Sequence, residues 1–215
     1  PVEAGTYRSL SMVGPVCSRG STSSTTRYWF DWVKMVDNIS NVPDVQLVGN
    51  KTIITFSMAN ARTYKNESQE ALIKKADRVI VIEDSISGLF GTDPVDQPNT
   101  YKILMTESDH PGYFMAATFY RTWYGTTTGG VPAILKVDNL TWGPWHELGH
   151  MQQQGSWTWS ELGEVTVNIY SIAVEKAFAI TPTRLTSQGE WNNANTYLAV
   201  PKRKEISTAA MQVYG

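Results

Sequence analysis

Apolar positions along this chain fall either at helical spacing or in continuous runs, and each pattern predicts a different element. Ser18 to Arg27 (SRGSTSSTTR) is small and polar and reads as an exposed loop, after which Trp29, Phe30, Val33 and Val36 recur at helical spacing. Beyond the turn signal NVPD, the β-branched run KTIITFSM at 51–58 predicts a strand. SQEALIKKAD at 68–77 predicts a helix with Ser68 as its cap and Leu72 and Ile73 turned inward. RVIVIED at 78–84 and YKILMTE at 101–107 are continuous apolar runs of the kind that buried strands show, the second reached through the loop GLFGTDPVDQPN. GTTTGGVPAILKVDN at 125–139 predicts a glycine turn and then a strand, Val131 to Val137, whose early proline assigns it to a sheet edge.

Two more helices close the pattern. One begins around Pro144, with Thr141 or Asn139 in its entry turn, and carries HELGH. The other covers 163–180, with Val165, Ile169, Ile172 and Ala173 as its buried side and Glu164, Asn168, Ser171 and Glu175 as a polar stripe. Strands and helices interleave with no internal repeat and no heptads, so an α+β fold with a mixed sheet is expected.

Composition narrows the function classes. The 215 residues are 41% apolar, enough for one sizeable core. Only 18% are charged and the net charge is −2, which removes the basic field that nucleic acid or anionic lipid would need. Cys17 is the only cysteine, so neither an internal disulfide nor a cysteine-rich zinc knuckle is available. No apolar run reaches the length of a membrane span, and PVEAGTYRSL lacks a signal-peptide pattern. Neither GxSxG nor GxxxxGK[ST] occurs, which sets aside a lipase or a phosphate-loop enzyme.

The chemistry concentrates in TWGPWHELGHMQQQGSW at 141–157. On a helix, residues four apart differ by about 40° in direction and about 6 Å along the axis, so His146 and His150 can grip one ion. Glu147 lies about 100° round from His146 and can reach a water beside that ion. This is the HExxH arrangement of zinc peptidases. No histidine follows at the metzincin position, so a carboxylate must complete the site, with Glu161, Glu164 and Glu175 as candidates. Glu164 leads because Gly163 adjoins it and Asn168, one turn on, is placed to hydrogen-bond a metal-ligating side chain; Glu161 is the alternative.

HELGHMQQQGSWTWSELGEVTVNIYS resembles the enhancin, or viral-enhancing-factor-like, mucin-directed zinc metallopeptidases, whose HExxH is followed after a variable spacer by a glutamate in a GEVTxN-like segment. The spacer here is thirteen residues, and ADRVIVIEDSISGL, YKILMTE and YFMAATFYRTWYG extend the similarity to about residues 50–200. The resemblance implies that His146, His150 and Glu164 bind one zinc ion and that Glu147 is the general base. It implies a zincin-like, gluzincin-type core acting outside the cell on mucin-type glycoproteins. Residues 1–50 match less well and are expected to pack as an N-terminal segment on a catalytic domain spanning 51–215, which the family pattern would continue past Gly215.

The expected edge strand, through Ala133, Ile134 and Leu135, is a candidate for pairing with extended substrate backbone. Tyr120, Tyr124, Tyr170 and His110 are candidate oxyanion donors, and Trp123, Tyr124, Trp157 and Trp159 are candidate platforms for a glycan. The competing reading is a non-catalytic glycan- or protein-binding module with a structural or vestigial metal site. A deformylase-like site using Cys17 ranks last, because PVCSRG offers no supporting signature.

Overall fold

A computed structural model describes residues 10–11, 36–37, 43–118, 120–158 and 162–201. Cys17, Trp29, Phe30, Val33, Trp159, Glu161 and the loop Ser18–Arg27 lie outside them. The described residues form two compact units: those within 1–78 and 99–144, and those within 79–98 and 145–201.

Among the described residues, the first unit is built on a six-stranded mixed sheet in the order β1-β2-β3-β4-β6-β5. Its strands are β1 (Leu10–Ser11), β2 (Asp44–Val48), β3 (Thr52–Ser57), β4 (Ile103–Ser108), β5 (Met115–Thr118) and β6 (Arg121–Gly125). β3, β4 and β6 run parallel, while β1, β2 and β5 pair antiparallel with their neighbours. Alternation along β3 buries Thr52, Ile54 and Phe56, and Val45, Leu47, Met105 and Tyr124 join them in the core. The boundary expected after residue 50 falls in the turn of the β2–β3 hairpin, where Val48 pairs with Ile53.

That hairpin turn is held by one side chain. Asp77 accepts hydrogen bonds from the backbone N–H of Asn50 (2.5 Å), Lys51 (2.8 Å) and Thr52 (2.9 Å), and from the Thr52 hydroxyl (2.8 Å). A Cβ at Gly49 would sit 2.5 Å from the Asp77 carboxylate, so a larger residue there would displace the side chain that holds the turn.

The predicted strand at 51–58 stops at Ser57, whose hydroxyl accepts from Asn60 N and caps the short helix α1 (Met58–Thr63). Ser68 caps α2 (Gln69–Ile86) as expected, accepting from Ala71 N.

RVIVIED is not a strand. It is the second half of α2, because nothing between residues 69 and 86 breaks a helix and the buried positions Leu72, Ala76, Val79, Ile80 and Glu83 recur at helical spacing while Val81 is exposed. The helix ends where Gly88 takes φ +75°, with Leu89 N bonded to Asp84 O and Gly88 N to Ser85 O, a Schellman termination.

The edge strand expected over Val131–Val137 is not formed either. Pro132 instead opens a helical turn, α3 (Pro132–Leu135), where its missing N–H costs nothing, and a 3-10 turn follows at Val137–Asn139. Ala133, Ile134 and Leu135 are buried in it, so the basis for substrate pairing with these three residues is gone.

The second unit contains the rest of α4 (Trp142–Gln152) from Trp145 onward, then α5 (Gly163–Thr166), α6 (Asn168–Ala177), α7 (Arg184–Ser187) and α8 (Glu190–Ala199). The helix expected over 163–180 is interrupted at Val167, and its buried stripe is Val167, Tyr170, Ser171, Val174 and Glu175. Ile169 is exposed, and Val165, Ile172 and Ala173 are only half-buried. Two stripes on this segment carry apolar residues at helical spacing, and sequence periodicity does not choose between them.

Candidate metal centre

α4 begins at Trp142, two residues before Pro144, which occupies the first turn where a backbone N–H would have no helical partner. Trp145, Leu148 and Gly149 form its buried stripe, with Trp145 stacked on Phe178 at 5.7 Å. His146, Glu147 and His150 sit on the half-buried side. Gly149 lets α5 and α6 come close: a Cβ there would lie 3.0 Å from Tyr170 Cβ and 3.0 Å from Val167 Cγ2.

That approach brings Glu164 to the histidines. Glu164 Oε2 lies 2.9 Å from His146 Nε2 and 3.2 Å from His150 Nε2, and the two Nε2 atoms are 3.2 Å apart. Among the described residues, His146, His150 and Glu164 are the group whose ligand atoms converge, all within 4.8 Å of one another. A tetrahedral zinc with bonds of about 2.0–2.1 Å requires ligand atoms about 3.3 Å apart, so the spacing fits within a few tenths of an ångström.

The hydrogen bonds behind the rings decide which nitrogens face inward. Asn168 Oδ1 is 2.9 Å from His146 Nδ1 while its Nδ2 donates to Glu164 O at 2.9 Å. Gln153 Oε1 is 3.1 Å from His150 Nδ1 while its Nε2 donates to Gly163 O at 2.8 Å and Thr166 Oγ1 at 2.6 Å. Each amide N–H₂ is therefore committed to oxygen acceptors and presents its carbonyl to the ring, which puts the proton on Nδ1 in both neutral histidines. In that tautomer two Nε2 lone pairs and a carboxylate face one another, an arrangement that a cation between them would stabilise. Two imidazole nitrogens and a carboxylate oxygen are donors that zinc accepts, with its fourth position left open.

Glu147 lies beside this cluster and outside it. Burial pushes its carboxyl from 4.5 to about 7, opposed by His150 and helped by the negative charge of Glu164. Burial acts the same way on Glu164, but hydrogen bonds and charge from the cationic form of the His146 and His150 rings outweigh it and hold that carboxyl below its ordinary value.

The other sequence candidates separate clearly. Glu175 is buried and spends Oε1 on Arg184 N at 2.7 Å, capping α7, so it is not part of the metal cluster. Gly163 meets open space where a Cβ would be, so close approach is not its role; its carbonyl is what holds Gln153. Tyr170 donates to Gln152 O at 2.7 Å and lies 2.9 Å from Ser87 Oγ, which commits its hydroxyl away from an oxyanion. Trp157 packs against the Tyr170 ring at 5.5 Å. Tyr120, Tyr124, His110 and Trp123 belong to the sheet unit, where His110 packs on Trp123 and Tyr113, Tyr124 is buried and Tyr120 lies under Arg121. The residue that sequence reasoning missed is Gln153; its signal was an amide one helical turn after His150, hidden in a run of three glutamines.

The sequence profile of Peptidase M60, enhancin and enhancin-like, matches residues 20–213. No curated protein sequence matches the chain. A conserved protein of unknown function from Bacillus anthracis str. Ames superposes with a TM-score of 0.71 at 34% identity, over 85% of this chain and 39% of that one. The CBM32-1, CBM32-2 and M60 catalytic domains of Clostridium perfringens ZmpB align at 0.63 and 23% identity, over 80% of this chain and 18% of that one. The M60 catalytic domain of Clostridium perfringens ZmpC, in complex with the sialyl T antigen, aligns at 0.60 and 20% identity over 74% and 31%. This chain thus spans less than half the length of each, and at these identities the Clostridium perfringens structures speak to the fold.

Proposed function

The chain belongs to the Peptidase M60 family, enhancin and enhancin-like, and from that premise we propose that it is a zinc-dependent endopeptidase hydrolysing peptide bonds in mucin-type glycoproteins outside the cell. The observation that carries this reading is the convergence of His146 Nε2, His150 Nε2 and Glu164 Oε2 with both Nδ1 atoms engaged behind them. One zinc ion bound there supplies Lewis acidity, lowering the pKa of water to about 7 and polarising a peptide carbonyl.

Glu147 is the base in this reading. A carboxylate made more basic by burial accepts a proton from water near neutral pH and returns it to the departing amine. Asn168 keeps the His146 ring turned with Nε2 toward the ion. A structural metal site needs no such acid–base group, which favours the peptidase over a non-catalytic binding module. The mucin assignment is supported by family membership and by the glycan held in the ZmpC structure. Among the described residues no helix is long and apolar enough to cross a membrane.

Incubation of the zinc-loaded protein with a mucin-type glycoprotein, followed by mass spectrometry of the products, tests the proposal. Cleavage that stops with a chelator and returns with zinc is expected. A protein that holds one zinc but leaves both glycosylated and bare substrates intact would overturn it.

A further inference from the structure

We propose that Gln153 is a positioning residue of the metal centre: its amide fixes His150 as the Nδ1–H tautomer and ties the segment that carries Glu164 to the end of the metal helix. This rests on the zinc reading above. The three consecutive glutamines have separate partners. Gln152 donates to Asp84 Oδ1 at 2.8 Å and Gln154 to Ser87 O at 2.8 Å, while Gln153 alone of the three turns to the cluster.

The hydrogen bonds through Gln153 run in one direction. Thr166 Oγ1 donates to Leu162 O at 3.1 Å, so toward Gln153 it acts as acceptor. Gln153 Nε2 donates to that hydroxyl and to Gly163 O. Only Oε1 remains for His150, and it can only accept. Turning the amide over would set its carbonyl against the Gly163 carbonyl and its N–H₂ against His150, forfeiting both anchors. His150 therefore directs its Nε2 lone pair at Glu164 and His146 before any ion arrives.

Asn168 makes the matching connection from the other side. It sits on α6 and reaches His146 on α4, whereas Gln153 follows α4 and reaches α5. The two amides cross between the element that supplies the histidines and the one that supplies the carboxylate. Removing either should loosen the three-ligand geometry, and Gln153 is the one that also acts on Gly163, next to Glu164.

The test is ring ¹⁵N NMR on the metal-stripped protein, with zinc affinity measured by chelator competition. In the parent, His150 is expected as the Nδ1–H tautomer. Gln153→Ala should give a mixture of tautomers and about a 10–100-fold loss of zinc affinity. Gln153→Glu still offers an oxygen to Nδ1–H but has no donor for Gly163 O and Thr166 Oγ1, so it should keep the Nδ1–H ring spectrum while recovering only part of the affinity. A Q153A protein with the parent's ring spectrum, or with zinc affinity unchanged, overturns the proposal. Gln153→Met, of similar shape without donor or acceptor, gives the same readouts if the alanine variant does not fold; loss of fold in both would assign Gln153 to the scaffold and refute a positioning role. The tautomer is read without zinc or substrate, so a parent protein that cleaves no glycoprotein would refute the peptidase reading and leave this test standing.

Discussion

Replacing Glu147 by glutamine separates the chemistry of the site from its architecture, and the structure supplies a magnitude for both. The amide keeps the shape of the side chain and leaves His146, His150 and Glu164 untouched, so zinc should still bind, at about one ion per chain. Cleavage should fall by at least the factor of about 10²–10⁴ that a positioned general base supplies. The same substitution has a stability signature in the metal-stripped protein. Burial lifts the Glu147 carboxyl from 4.5 to about 7. That difference corresponds to at most about 3.4 kcal/mol, and solvent screening of a half-buried group reduces it to about 1.5 kcal/mol. Below pH 4.5 the carboxyl is protonated whether folded or unfolded. Between 4.5 and about 7 the unfolded chain has released this proton and the folded one has kept it, so rising pH favours unfolding. Above about 7 the penalty is complete. The amide introduced by E147Q does not titrate, so urea melts of the variant and the parent should coincide near about pH 4, with the variant about 1.5 kcal/mol more stable near about pH 8. Parallel pH profiles for the two proteins would refute the raised carboxyl, and undiminished cleavage would refute the base.

Other perturbations probe separate parts of the chain. His146→Ala should lower zinc affinity by more than the roughly 10–100-fold that outer hydrogen-bonding partners are worth; parental affinity in a competition titration would remove His146 from the ligand set. Zinc at about a hundred times its dissociation constant should stabilise the protein by about 2.7 kcal/mol, read as a rise in Tm of several degrees that a chelator reverses; an unchanged Tm counts against a folded-state site. Gly149→Ala places a Cβ 3.0 Å from both Tyr170 Cβ and Val167 Cγ2, and overpacking of about 1–3 kcal/mol should outweigh the gain of up to about 1 kcal/mol in helix propensity; a higher Tm would show that the α4 approach is looser than described. Asp77→Ala removes the acceptor for three backbone N–H groups and the Thr52 hydroxyl, with an expected loss of about 2–4 kcal/mol and no change in zinc affinity; a neutral result in urea melts would refute its role as the anchor of the hairpin turn.

How much of this was readable in the chain depends on the range of the interactions involved. The spacing of His146, Glu147 and His150 is a local property: once α4 forms, the helical repeat alone sets the histidines side by side with the glutamate offset. The strands at 52–57 and 103–108 were likewise carried by their own composition, and Ser68 by its capping chemistry. RVIVIED and VPAIL misled because a short apolar run is compatible with a buried strand or a buried helix, and the choice lies with neighbours far away in sequence. For 163–180 the helical period was right and the face was wrong: packing buried Tyr170 and Val174 and left Ile169 in solvent. Glu164 could be favoured over Glu161 from Gly163 and Asn168, but the distances that join it to the histidines come from the close passage of α5 and α6 beside Gly149. Gln153 was invisible among three like residues, because a hydrogen bond's partner is settled by where the backbone carries the acceptor. Sequence by itself thus determined the element that carries the chemistry and the residue types within it. Tertiary structure decided the distances that bring Glu164, Asn168 and Gln153 to the two histidines, since those contacts join segments whose approach no local pattern encodes.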